Sequence, residues 1–236
     1  MPIFEKYNCF FVHIPRNAGT SVEGLLGVKS IQKMSNKKQI ELMYGYKGHD
    51  ELDHATISMI LSKIPSEKFK KYNSFAVVRN PITRLASQYR YTLTQPHNAF
   101  LTGVQKSFYE FCEVIYRLKD ELENLPHYMV SHYLPQTKFI YHNHSQIVRD
   151  IIRFENLEEN ITNFAKKELG IEKINLANEN RTSKNMSPEE VLDSMGYQKS
   201  ILSNLSRSNR QRRKILDMIY EIYYDDFVNF DYKLCE

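Results

Sequence analysis

The sequence predicts a single α/β domain over residues 1–236, with a central, mostly parallel β-sheet flanked by helices. Three observations carry that prediction. Residues 9–14 and 74–78 are short, apolar and β-branched, the character of interior strands. A helical pattern follows each at once, at 20–26 and 82–94. Strand and helix candidates then alternate along the chain, with no internal repeat and no linker to divide it.

Taken in order, 9–14 reads as a buried strand and 20–26 as a short helix entered from a loop. Residues 29–47 are polar and peripheral, and 53–63 form a modest helix ending before Pro65. After the strand 74–78, Asn80-Pro81 opens a helix with Leu85, Tyr89 and Leu93 at helical spacing, because proline suits a first turn. Residues 108–123 are an amphipathic helix along Phe111, Ile115 and Leu118. The stretches 137–141 and 151–154 are strand candidates, and 157–169 is a helix stopped by Gly170. Residues 173–209 are polar, with a helix start at Ser187-Pro188, and 210–226 form the C-terminal helix.

At 42% hydrophobic residues over 236 positions, the chain can bury one sizeable core. A net charge of +4 favours anionic ligands but is too mild to argue for nucleic acid. The dense run SRSNRQRRK (206–214) reads first as a solvated helix start and second as a surface for an acidic glycan; without interleaved aromatics, nucleic acid ranks a distant third. Three scattered cysteines, Cys9, Cys112 and Cys235, fit neither a zinc spacing nor a disulfide framework and indicate a reducing compartment. No signal peptide and no membrane span is recognisable, so a cytoplasmic, bacterial setting is expected.

The chemistry centres on FVHIPRNAGTS (11–21), a strand running through a loop into a helix. Backbone N–H groups at such a junction bind anions. Gly19 allows close approach, Thr20 and Ser21 add hydroxyls, and Arg16 adds a cation. The loop is P-loop-like without being a Walker loop. The lysine due after the last glycine is absent, and no strand ends in an acid that would hold Mg²⁺. By itself the stretch favours an anion site only modestly over an ordinary βα turn. A second element, FAVVRNPITRLASQYRY (75–91), repeats the arrangement: Arg79 leaves a strand end where α/β sheets bind ligands, and Ser87 follows two turns into the helix. Two anion-competent elements suggest a ligand with two separated phosphates.

HIPRNAGTS resembles the 5′-phosphosulfate loop of sulfotransferases that use 3′-phosphoadenosine 5′-phosphosulfate (PAPS), and VRNPITRLASQY resembles their 3′-phosphate motif. HYLPQTKFI (132–140), IIRFENLEEN (151–160) and YYDDFVNFDY (223–232) follow in the order of the carbohydrate sulfotransferase branch, including its compact bacterial members. The resemblance implies the sulfotransferase fold, PAPS as co-substrate, adenosine 3′,5′-bisphosphate (PAP) as product, no metal, and a carbohydrate or other hydroxylated acceptor. It places Arg16, Asn17, Ala18, Gly19, Thr20 and Ser21 around the phosphosulfate, and Arg79 and Ser87 on the 3′-phosphate.

Position 16 departs from the branch, which carries lysine there. Arginine keeps the charge but cannot donate a proton near neutral pH, so Arg16 is expected to act electrostatically. The general base expected by resemblance is His54, with His49 as the fallback and Glu51 or Asp53 to orient the base or replace it. His132 and Gln136 are assigned to the acceptor side, with plain packing an equal alternative. His13 reads as a core or supporting residue. His142 and His144 offer two metal ligands without a third. A P-loop ATP-dependent kinase and a non-catalytic PAP- or PAPS-binding relative stand as the competing readings.

Overall fold

The structure, a computed structural model, describes residues 3–26, 54–64, 66–94, 107–172, 186–195 and 205–234. In chain order these form β1 (Ile3–Phe4), β2 (Cys9–Val12), α1 (Gly19–Leu25), α2 (Ile57–Lys63), α3 (Ser66–Phe69), β3 (Asn73–Val78) and α4 (Pro81–Thr94). There follow α5 (Phe108–Arg117), α6 (His127–Val130), α7 (Thr137–Ile140), β4 (Tyr141–His142), β5 (Ser145–Gln146), β6 (Asp150–Arg153) and α8 (Leu157–Leu169). The last are α9 (Pro188–Ser194), α10 (Leu205–Ile222) and α11 (Tyr224–Asn229). They fall into two compact units interleaved in sequence, residues 1–79 with 136–181 and residues 80–135 with 182–236.

The first unit holds the sheet, ordered β1-β2-β3-β6. β2, β3 and β6 are mutually parallel, while β1 is an antiparallel edge. Side chains alternate across a strand, so Cys9 and Phe11 face one way and Phe10 the other. Cys9, Phe11, Phe75, Val77 and Ile152 pack with Val22 and Leu26 of the α1 region and with Ile161, Ala165 and Leu169 of α8. On the opposite face the Phe10 ring meets Phe69 of α3 edge-on, with centroids 5.0 Å apart. Both faces are therefore covered, which explains the unbroken apolar runs in the central strands. Burial pushes the Cys9 thiol up to about 12, an inert core group.

The second unit is helical. Ser107 and Glu110 form a capping box that starts α5, and Ser187 and Glu190 form another ahead of Pro188 in α9. Tyr89 of α4 packs on Phe108 and Phe111 of α5 at 5.5 and 5.2 Å. α10 buries Ile215, Met218, Ile219 and Ile222, the stripe expected from their spacing.

Several boundaries differ from expectation. Residues 137–141, expected as a strand, form the helical turn α7 before β4; five residues give periodicity too little to decide on. The helix expected over 108–123 ends at Arg117, where the Leu118 N–H turns back to the Ile115 carbonyl. The C-terminal helix expected at 210–226 is two helices broken at Tyr223, whose hydroxyl donates to the Tyr133 carbonyl at 2.9 Å. The helix expected from 53 starts at Ile57, because Thr56 caps it and His54 has a left-handed φ of 56°. β1 and α3 are too short to have left a pattern.

Candidate active site

The loop after β2 is shaped by two left-handed residues, Arg16 at φ 67° and Ala18 at φ 61°. Neither is glycine, so each carries a backbone cost, on the order of 1 kcal/mol, of the kind that collects at functional sites. Left-handed residues alternating with others build the concave N–H arrays that hold anions. Ala18 is also the N-cap of α1, and its side chain cannot cap the first turn. Thr20 is exposed, and Ser21 and Arg16 are half-buried.

Behind the loop stands a buried amide frame. Asn17, 1% exposed, donates both hydrogens of its carboxamide, to the Val77 carbonyl and to Gln136 Oε1, each at 2.7 Å. Gln136 Oε1 also accepts the Arg79 N–H at 2.9 Å, and Gln136 Nε2 donates to the Arg79 carbonyl at 2.8 Å. The Arg79 guanidinium lies over the Phe154 ring at 4.1 Å and donates from Nη1 to the Arg16 carbonyl at 3.3 Å. The two arginines of the two motifs are thus joined directly.

Beside the loop sits a histidine pair. His54 Nδ1 lies 3.2 Å from the His13 carbonyl oxygen. A carbonyl only accepts, so Nδ1 carries the hydrogen and the neutral ring has its lone pair on Nε2. The two rings meet edge-on at 4.5 Å, and His13 Nδ1 is 2.7 Å from Glu23 Oε1. A Cβ on Gly19 would stand 1.8 Å from His13 Nε2. The missing side chain at Gly19 makes room for the His13 ring. His13 is braced by Glu23, a partner ten positions on that no motif marks.

In the second unit, Ser87 lies on α4 and is 6% exposed. Arg84, one turn earlier, is 2% exposed and donates to the Leu134 carbonyl at 2.9 Å and the His132 carbonyl at 3.4 Å. Burial pushes its guanidinium down, while Tyr223 and the fully buried Asp226 push it back up. Burial pushes the Tyr223 hydroxyl up, and Arg84 pulls it down. Two of the sequence signatures, HYLPQ and YYDDF, are therefore the walls around Arg84. His132 Nδ1 is 2.8 Å from Gln88 Oε1, and its ring stacks with Tyr91 at 6.1 Å.

His49, Glu51 and Asp53 lie outside the described residues. His142 and His144 sit on the β4–β5 hairpin, and among the described residues no three potential metal ligands gather. No helix among the described residues is long and apolar enough to cross a membrane.

In the first unit a mostly parallel α/β sheet ties a strand–loop–helix turn to a strand-end arginine. The model of the sulfotransferase family matches residues 1–233, across both units, and the chain belongs to that family. It is a sulfotransferase. No curated protein and no solved structure shows significant similarity to it.

Proposed function

We propose that the protein transfers the sulfuryl group of PAPS to a hydroxyl of a carbohydrate or carbohydrate-containing acceptor. One observation carries the proposal: in a chain of this family, the loop with left-handed Arg16 and Ala18 is bound through the Arg16 carbonyl to Arg79, joining the two elements expected to hold the donor. In this reading Arg16, Ala18, Gly19, Thr20 and Ser21 surround the phosphosulfate, Asn17 supports them from behind, and Arg79 holds the 3′-phosphate. Ser87 enters by its place in the motif. No metal takes part, because a sulfuryl group carries less charge than a terminal phosphoryl group and fixed cations suffice. Residues 1–236 act as one domain in this reading, since the family match spans both units. A cytoplasmic setting accords with the two buried free thiols, Cys9 and Cys112.

The chemistry follows from the side chains. His54 Nε2 accepts the proton of the acceptor hydroxyl as its oxygen bonds to sulfur. The bond from sulfur to the 5′-phosphate oxygen breaks, and PAP leaves with the electron pair. Arg16, permanently cationic, stabilises charge on that departing oxygen without donating a proton. His132 stays an acceptor-side residue, its ring oriented by Gln88.

Calorimetric titration with PAP, against ADP and Mg-ATP, checks the donor, and labelled-sulfate transfer across a glycan panel checks the reaction. PAP is expected to bind and Mg-ATP not to. His54→Ala should abolish transfer while PAP still binds. Preference for Mg-ATP would sink the donor assignment, and retained transfer would remove His54 from the mechanism.

A further inference from the structure

We infer that Gln136 is a positioning residue for donor binding: its buried carboxamide ties Asn17 of the loop to both backbone polar groups of Arg79. It thereby fixes the loop and the strand end at the spacing the donor needs. The inference rests on the PAPS reading above. It departs from the acceptor-side role that the sequence suggested for the same residue.

The geometry argues for it in three steps. Gln136 is 0% exposed, and its Oε1 accepts from Asn17 Nδ2 at 2.7 Å and from the Arg79 N–H at 2.9 Å. A carbonyl oxygen has two lone pairs, so this one has nothing left for a sugar hydroxyl. Next, Val78 is the last residue of β3 in register with β6, so the Arg79 backbone lies past the ladder. Its N–H and C=O find both partners on Gln136 instead, the second at 2.8 Å from Nε2. One planar group with an acceptor and a donor mimics a neighbouring strand for a single residue. Finally, Asn17 spends both amide hydrogens on Val77 and Gln136, and its buried Oδ1 has no partner. The Asn17 side chain thus offers an anion no donor. Its work is to hold the loop between Arg16 and Ala18, and it does so through Gln136.

Glutamine suits this place. Methionine fills the volume with neither donor nor acceptor, and glutamate keeps the acceptor while losing the donor. Removing the amide takes these hydrogen bonds from the Arg79 N–H, the Arg79 carbonyl and one Asn17 hydrogen in a buried place.

The test measures PAP affinity by calorimetry on the full chain, well below each variant's melting midpoint. Gln136→Met is expected to weaken PAP binding by about tenfold or more. Gln136→Glu should fall between it and wild type. Asn17→Ala added to Gln136→Met should weaken binding no further than Gln136→Met alone, because the two residues form one strut. A residue needed only for folding would lower the midpoint and leave the affinity of the folded protein unchanged. Binding within twofold of wild type by a folded Gln136→Met, or additive effects of Asn17→Ala and Gln136→Met, overturns the inference. Should Gln136→Met not fold, Gln136→Glu with wild-type affinity overturns it equally. If wild-type protein does not bind PAP at all, the donor reading fails first and separately.

Discussion

Arg79 and Arg84 stand five residues apart in one motif, and the structure gives them opposite work. Arg79 ends a strand, stacks on Phe154 and bonds to the carbonyl of Arg16. The second contact ties it to the loop that follows β2. Arg84 points into the second unit, onto the carbonyls of His132 and Leu134 and toward Tyr223 and Asp226. Both are buried, at 6% and 2% exposure, so burial does not separate them. Their partners do. Arg84 is set among an acid, a phenol and two carbonyls, a lining that satisfies its charge and repels an anion. The basic spacing of VRNPITRLASQYR therefore mixes an arginine tied to the loop after β2, proposed above to hold the donor, with one enclosed by the second unit.

The largest effect that can break this comparison is on stability. Arg84→Met removes the cation facing Asp226, itself 0% exposed, and should destabilise the protein by about 3 kcal/mol or more in urea unfolding. The double variant Arg84→Met with Asp226→Leu should regain part of the loss, since it removes both buried charges together. A single variant within 0.5 kcal/mol of wild type, the order expected of surface changes, would show that Arg84 is not structural. Next in size, Arg79→Met should weaken PAP binding by about 1.5–3 kcal/mol, the range of hydrogen bonds to charged groups. Its stability should fall by less than that of Arg84→Met. Equal losses of stability with unchanged PAP affinity would put the two arginines in one class and withdraw Arg79 from the donor site.

What the sequence made legible follows from range. β2 and β3 were readable because a short apolar run followed by a Gly- or Pro-opened helix is a local pattern, and the loop at 16–21 was readable for the same reason. The β4–β5 hairpin turns through Asn143 and His144 at φ 48° and 62°, a local turn signal. Gln136 could not be read. Its meaning lies in contacts 57 and 119 positions away, and a lone glutamine in HYLPQ carries no periodicity. Glu23 and Asp226 were hidden likewise, since an acid within a helix usually faces water. The family resemblance marked such positions without explaining them, and for YYDDF the explanation is the housing of Arg84.

A third arginine supplies the smallest effect and sharpens the comparison from the surface side. Arg149 donates from Nε to Asp150, from Nη1 to Asn73 and from Nη2 to Glu168, each at 2.6 Å. Its side chain is 47% exposed, so water already solvates the charge and screens the pair. A hydrogen bond from Lys167 is the main cause that holds the Glu168 carboxyl below its ordinary range; burial opposes it and Arg149 adds to it. A carboxyl depressed in the folded state stabilises above its unfolded pKa and loses that contribution as pH falls through the folded one. Glu168→Gln should therefore cost a little stability near neutrality, and the gap in melting midpoint should close as pH falls below about 4. Added salt should narrow the same gap, whereas the Arg84→Met loss, from a pair sealed from solvent, should survive salt nearly whole. A Glu168→Gln gap that stays constant from neutral to acid pH would mean that packing, not charge, ties α8 to the end of the sheet at this point.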